Sequence, residues 1–388
     1  MEKKYGNGRN GTGLHQFASL IPAVRTALFL IVVALSVYMI IVAKNFLFPL
    51  AFGALFAYLL YPVTNFLEKK KIPRILAILM SILLAIVVIA SVFLVFYNQL
   101  SEMLENFEEI KSQVASNIEN LEKSLTNFLG VSDKGFEIFF QERVDQFLNN
   151  ASGRIVETFT ATAGTIFRII ILPVFVFLML FYRTKFAYFI LKIVPDTSKR
   201  ITLNILREIS TVASRYMGGV AIVVLILCVI NSTGLAIIGV QYAILLGITS
   251  AFFNFIPYFG TLMGGLVPLT FVLTTTDQPL YFGIRVVILF LLVQFTENYL
   301  LTPNIVGGNV RINPLMIIVG LIAGAMVWGI PGMLVIIPFL AILKIIFSHI
   351  PRLKPYAFLL GLKGTRQYSI QLSKIKSALH FRGKEKQD

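Results

Sequence analysis

Three polar side chains recur at helical spacing in an otherwise apolar stretch: Gln294, Glu297 and Asn298 in QFTEN. Positions i, i+3 and i+4 share one face of an α-helix, so the spacing predicts a polar face that carries one carboxylate. Glu297 is the only acid between Asp277 and the C-terminal tail. An ionisable group inside a membrane span is costly and faces the bundle interior, where it can bind a cation, relay a proton or hydrogen-bond a hydroxylated solute. The competing reading puts Glu297 near an interface, paired with Arg285 or Arg311. A second group lies in SAFFNFIPYFGTLMGGLVP, Ser250–Pro268, where Asn254 and Tyr258 flank Pro257 and precede Gly260. Pro257 has no amide hydrogen and frees a carbonyl one turn back. Lipid cannot satisfy that carbonyl, so such backbone survives at membrane depth only against protein or a water-filled cavity. It can then hold an ion or polar solute; the competing reading is a packing kink with Gly260 and Gly264 as the contact face.

These groups sit in a chain that cannot be an ordinary soluble protein. Of 388 residues, 57% are hydrophobic and 14% charged, where a soluble domain carries about a quarter charged residues. Several uncharged runs exceed the length a membrane helix needs. The net charge of +15 reads as basic loops on the cytoplasmic side of a membrane, not as nucleic-acid binding. One cysteine, Cys228, excludes an intramolecular disulfide. The opening MEKKYGNGRNGTG is expected to be a polar tail, not a cleavable signal, and the first apolar run a retained span.

The order of apolar and charged stretches predicts an all-α polytopic membrane protein with an extramembrane helical hairpin. A basic cytoplasmic tail covers residues 1–25, and spans one to three cover 26–101, the second broken at Pro49 and Pro62. Residues 102–160 form an acidic helical hairpin outside. Its apolar stripe from Leu100 through Leu104, Phe107 and Val114 closes either within the subunit or on a partner. Span four covers 161–182 and a basic cytoplasmic segment 183–215. A transport core with broken helices covers 216–347, and a basic cytoplasmic tail covers 348–388, where SIQLSKIKSALHFRG can lie on an anionic membrane surface. The positive-inside rule puts both termini in the cytoplasm.

Length arithmetic governs the core. The charge-free run Tyr216–Thr276 has 61 residues, about 90 Å as one helix and about three times the hydrocarbon thickness. It must fold back, with a span near 216–236 and two short pieces meeting at Pro257–Gly260. The 32-residue run Ile312–Leu343 behaves alike and breaks at Trp328–Gly332, which contains Pro331. Either every piece crosses, giving ten spans, or there are six full spans plus two re-entrant hairpins, about eight membrane elements. The second arrangement is an inverted repeat, as in many secondary transporters.

The same residues resemble a known family. NFIPYFG at Asn254–Gly260, the glycines after it and Pro268 are similar to the PYxG signature of the autoinducer-2 exporter family of bacterial permeases. So is the later series Gln294, Glu297, Pro303, Gly307, Asn313-Pro314, Gly329, Gly332, Pro338 and Lys344. Thr261 stands where the family commonly has proline, which affects the geometry of the hairpin tip. The resemblance covers roughly residues 20–350 and is strongest over 205–347. It implies a multi-pass protein of the bacterial inner membrane and a homo-oligomer, with a pentamer as one form. It further implies either export of a small polar, autoinducer-2-like solute or sodium(lithium)/proton antiport.

Three functions therefore compete: a secondary exporter of a small polar solute, a sodium/proton antiporter using Glu297, and a membrane scaffold acting through the outer hairpin. The expected pathway residues are Asn254, Pro257, Tyr258, Gly260, Gln294, Glu297, Asn298, Pro303, Gly307, Arg311, Pro331 and Gly332. Expected partners are membrane lipid, the solute, and a sodium ion with a proton. An enzyme is disfavoured: there is no HExxH and no paired-aspartate motif, and His15, His349 and His380 lie in tails or at a membrane edge. No phosphate-binding GxxxxGK[ST] loop is present, and no cofactor is expected.

Overall fold

A computed structural model describes residues 11–114, 116–117, 163–257, 259–306 and 312–362. Most of the outer hairpin, Tyr258, Gly307, Arg311 and the distal tail therefore lie outside the described residues. Long runs of Leu, Ile, Val and Phe form helices because a bilayer offers no alternative partner for backbone polar groups. The helices are α1 (Gly11–Val42), α2 (Lys44–Lys69), α3 (Arg74–Glu105), α4 (Ala163–Ile193) and α5 (Lys199–Ile238). They are followed by α6 (Ala243–Phe253), α7 (Phe259–Thr275) and α8 (Pro279–Thr296), which continues as a π-helix over Glu297–Val306. Then come α9 (Pro314–Trp328), α10 (Ile330–His349) and α11 (Lys354–Leu360). Among the described residues there is no strand, only an isolated bridge between Ile312 and Gly361. Among the described residues, seven helices are long and apolar enough to cross a membrane, and α6, α7 and α9 are shorter apolar helices. Large apolar side chains such as Leu30, Leu83 and Leu94 are exposed on α1 and α3, as a hydrocarbon-facing surface requires. The chain is an all-α polytopic membrane protein.

Several expected boundaries shift. Pro49 and Pro62 do not break the second span; both lie inside the continuous helix α2, which packs against α4 and α5. The fourth span does not end at Tyr182, since α4 runs on through Arg183 to Ile193, and much of the basic segment is helix. The apolar stripe turns a corner at Asn106 instead of running straight. Its described part closes within the chain: Leu100, Ile110 and Val114 pack on Tyr242 and Leu245 of the α6 start.

Polar contacts define the two ends of the bundle. At one end, Glu102, Glu105, Glu108 and Glu109 cluster along the chain, and Asn106 Nδ2 donates to Tyr242 Oη at 3.2 Å. Asn117 Nδ2 donates to the carbonyls of Thr274 and Thr276, each at 3.0 Å, which caps the end of α7. At the other end lie Lys69, Lys70, Lys71 and Arg74, with Arg183 of α4 paired to Glu68. His349, at the end of α10, lies 3.5 Å from Glu208 of α5 at that basic end.

The two hairpins enter from these opposite ends. The first, α6–α7, starts at Tyr242 and returns to Thr276, both at the acidic end. The second, α9–α10, starts beside Leu360, whose carbonyl accepts from Asn313 N at 2.8 Å, and returns to His349 at the basic end. Their arms are unequal, contrary to the matched pieces that length arithmetic predicts. Helix α6 has 11 residues, about 16 Å, and cannot cross a hydrocarbon core of about 30 Å. Helix α10 has 20 residues and can. The apex of the second hairpin accordingly reaches the acidic end of α1, where Trp328 Nε1 donates to the carbonyl of Ile40 at 3.1 Å. The break there is the single residue Gly329, at φ 68 and ψ −145, a backbone region open essentially to glycine alone.

Candidate functional site

The described part of the first hairpin's tip is 254–257. Helix α6 stops at Phe253, four residues before Pro257, because Asn254, Phe255 and Ile256 tighten into turns: their amides bond the carbonyls of Ala251, Phe252 and Phe253 at 3.1, 3.2 and 3.0 Å. The expected break at Pro257–Gly260 thus begins earlier, at Asn254. Ile256 is buried between Leu321 of α9 and Ile337 of α10, with Tyr216 of α5 packed alongside. Leu321 and Ile337 each stand seven residues into their helix, so the tip meets the second hairpin at mid-length. Gly260 opens α7 against the backbone of Phe253 and Asn254, where a Cβ would collide with the Phe253 carbonyl. Ser250, fully buried on α6, donates to the carbonyl of Gly264 and locks the two arms together.

The opposing wall is the junction of α8 with its π-helical extension. Glu297 is the first residue of that extension and is half-buried. Asn254 Nδ2 donates to Glu297 Oε2 at 3.3 Å, which joins the hairpin tip to the span that carries the carboxylate. Glu297 therefore does not take the paired role with Arg285, whose guanidinium lies over the Tyr281 ring, 3.8 Å from its centroid. Gln294 is half-buried one turn before Glu297, whereas Asn298 is exposed. Pro303 lies inside the π-helix and is exposed. A π-helix shifts the ladder to i→i+5, and short π segments recur at functional sites. Pro331 and Gly332 are placed elsewhere, at the apex of the second hairpin, six and five residues from Ile337 and so roughly 8 to 9 Å beyond the layer where Ile256 packs.

Two residues missed in the sequence lie on α5, which packs against the π-helical extension. Gly219 of α5 faces the end of the π-helix; a Cβ there would stand 2.8 Å from Val306 Cα and 3.1 Å from the Ile305 carbonyl oxygen. The pair Gly218-Gly219 in a helix was the available signal, because two adjacent glycines weaken a helix unless something approaches closely. Asn231 of α5 is 1% exposed, and neither amide atom has a partner among the described residues. A polar side chain in the charge-free run was visible, but its burial was not. Gly219→Ala is expected to push the π-helix off α5 and to destabilise the protein by about 1–3 kcal/mol, as overpacking does. Gly218→Ala supplies the control, since a Cβ there meets nothing within 4 Å. Thermal unfolding of the two variants in one detergent checks the difference.

The arrangement sets a carboxylate beside an amide at the tip of a broken helix, within a bundle that is otherwise apolar, and the Phe253 carbonyl that Pro257 would leave free accepts instead from Ile256 N. Known proteins bear on what it moves. YueF of Bacillus subtilis (strain 168) is 28% identical over 81% of this chain and 86% of its own length. YrrI of the same organism is 26% identical over 81% and 89%. The AI-2 transport protein TqsA of Escherichia coli (strain K12) is 24% identical over 78% and 86%. The model of the AI-2E family transporter matches residues 28–352, a stretch that contains both hairpins, Asn254 and Glu297. The chain is thus a membrane transport protein that belongs to the AI-2E transporter family.

Proposed function

We propose that this chain is a secondary carrier of the bacterial cytoplasmic membrane that exports a small polar, autoinducer-2-like solute, with Asn254 and Glu297 lining its pathway. The observation that carries the reading is the 3.3 Å contact between Asn254 and Glu297, because it brings a broken-helix tip and an intramembrane carboxylate to one place. The basic end, with Lys69, Lys70, Lys71, Arg74 and Arg183, is assigned to the cytoplasm by the positive-inside rule, together with both termini. The first hairpin then enters from outside and the second from inside, which supports an inverted pair of halves, α5–α7 and α8–α10, around a shared layer. TqsA, whose name specifies AI-2 transport, supports the solute class through the relationship above. Self-association into a ring, a pentamer included, belongs to the same proposal and draws on the exposed apolar face of α1.

A second reading has its own observation. The group at the junction is a carboxylate, and a titratable group in the path is what sodium/proton antiport requires. Proteoliposomes loaded with a panel of small polyhydroxylated solutes, with and without a sodium gradient, separate the two. Solute flux without sodium dependence supports export, and sodium-driven proton movement without solute supports antiport. Asn254→Ala is expected to lower whichever flux is found by about ten-fold, since a hydrogen bond to a charged group contributes about 1.5–3 kcal/mol. An unchanged flux in that variant removes the hairpin tip from the pathway.

A further inference from the structure

The corner between α2 and α3 has a charge arrangement apart from the Asn254–Glu297 junction. Glu68 is shared by two guanidiniums: Arg183 bonds Oε2, and Arg74 Nε stands 4.0 Å from Oε1. Arg74 is held in place by its other nitrogens, Nη2 donating to the Leu180 carbonyl at 2.8 Å and Nη1 to Thr184 Oγ1 at 3.3 Å. One carboxylate cannot neutralise two arginines, so the cluster keeps a net positive charge; Arg183 Nη1, Arg74 Nε and Glu68 Oε1 are buried and have no hydrogen-bond partner among the described residues. Beside it Lys69, Lys70 and Lys71 are exposed, and Lys71 holds φ 66, a left-handed conformation that a lysine adopts only under constraint. The first turns of α3 then present an apolar strip: Ile75, Leu76, Leu79 and Leu83 are all exposed.

We infer that this corner is a binding site for an anionic phospholipid, its phosphodiester on the exposed Lys69–Lys71 corner, its acyl chain along the strip on α3. The Arg74–Arg183 pair contributes fixed positive charge beneath the headgroup and not the phosphate contact itself, because its forks are engaged by Leu180, Thr184 and Glu68. Lysines at the rim add attraction to the headgroup layer. The strip favours a lipid over a free anion: phosphate has no use for apolar surface that begins one residue from the guanidinium. The site ties α2, α3 and α4 together at one membrane face. It is separate from the Asn254–Glu297 junction, so its test does not depend on which solute is moved.

The chain's one cysteine, Cys228, is buried in α5 and reports unfolding when it becomes reactive to a thiol-specific dye. In detergent-solubilised full-length protein, titration with phosphatidylglycerol is expected to raise the unfolding midpoint, and phosphatidylcholine is expected to do so far less. Replacing Lys69, Lys70 and Lys71 together by Gln is expected to weaken the apparent phosphatidylglycerol affinity by ten-fold or more, following the attraction of each cation to an anionic surface. Replacing Lys192, Arg200 and Arg207 by Gln, three exposed cations elsewhere at the basic end, is expected to leave it within about two-fold. Lys71→Gly, which relieves the left-handed backbone and deletes a charge, is expected to raise the midpoint without lipid and to reduce the response to lipid. The inference is overturned if phosphatidylcholine protects equally, if the control triple weakens binding as much, or if inorganic phosphate or glycerol phosphate alone reproduces the whole shift.

Discussion

Glu297→Gln is expected to abolish coupled flux while leaving the fold intact. Glutamine has the same length and keeps an oxygen to accept from Asn254 Nδ2, so the junction between the hairpin tip and α8 survives. What disappears is the proton exchange and the negative charge. If a cation or proton moves by way of this carboxylate, gradient-driven transport falls to background in proteoliposomes. Any solute exchange that persists loses its dependence on the pH gradient. Stability moves the other way or not at all, because a partly buried amide costs less than a partly buried carboxylate. Glu297→Asp keeps the charge but withdraws it by one methylene from Asn254, so coupling persists at reduced rate. The order wild type, Asp, Gln in coupled flux, with unfolding midpoints nearly equal, is the signature. Full coupling in the Gln variant would falsify a role for Glu297 in energising transport and leave facilitated movement of solute as the surviving mechanism.

Gly332→Ala is expected to have the largest effect on stability. Gly332 and Gly324 place the two arms of the second hairpin backbone to backbone: a Cβ on Gly324 would stand 2.7 Å from the Gly332 carbonyl oxygen, and one on Gly332 would run into the Gly324 carbonyl. Neither obstacle is the end of a flexible side chain, so the strain cannot be relieved by a rotamer change. In a bilayer the arms have no hydrophobic force of their own to hold them, only close packing, and small residues are what permits it. The variant is expected to lose about 3 kcal/mol, the upper part of the range for overpacking. Because Ile256 sits between Leu321 and Ile337 of those same arms, the loss should carry through to the first hairpin and reduce flux as well. Unfolding midpoints of Gly332→Ala against Gly218→Ala, both glycines inside helices but only one against backbone, measure it. Equal midpoints would show that the arms can separate without cost.

The membrane class, the order of spans and the two broken runs were legible because hydrocarbon thickness sets a length that any uncharged run must obey. The pairing of Asn254 with Glu297 was foreseeable only as a juxtaposition of two polar segments, since sequence spacing says nothing about which helices touch. Asn298 shows the limit of helical periodicity: at i+4 it shares a face with Gln294 in an ideal α-helix, yet it is exposed where the chain changes to a π-helix at Glu297. Pro303 was the local hint of that change. Pro49 and Pro62 mislead in the opposite sense, because a proline's effect depends on whether neighbouring helices can shelter the carbonyl it frees, and that is a tertiary fact. The unequal arms were hidden for a related reason: Pro257 signals that a helix ends nearby, but how early α6 stops depends on the turns by which Asn254, Phe255 and Ile256 bond back onto it. Tyr258, Gly307 and Arg311, expected in the pathway, lie outside the described residues.

The shortness of α6 also bears on how the protein is made. An 11-residue apolar helix offers about half the length by which an emerging segment partitions into the bilayer on its own. It cannot be released into lipid as α3 or α5 can. Its start and the end of α7 are covered by Ile110, Val114 and Asn117, and α5 lies along it. With the acidic end outside, as proposed above, the first hairpin is expected to enter the membrane as a unit with α5, after the segment that carries Ile110 and Asn117 has been translocated. Shortening or recoding that segment should show first as a defect in membrane integration of newly made chains, before any effect on the finished carrier.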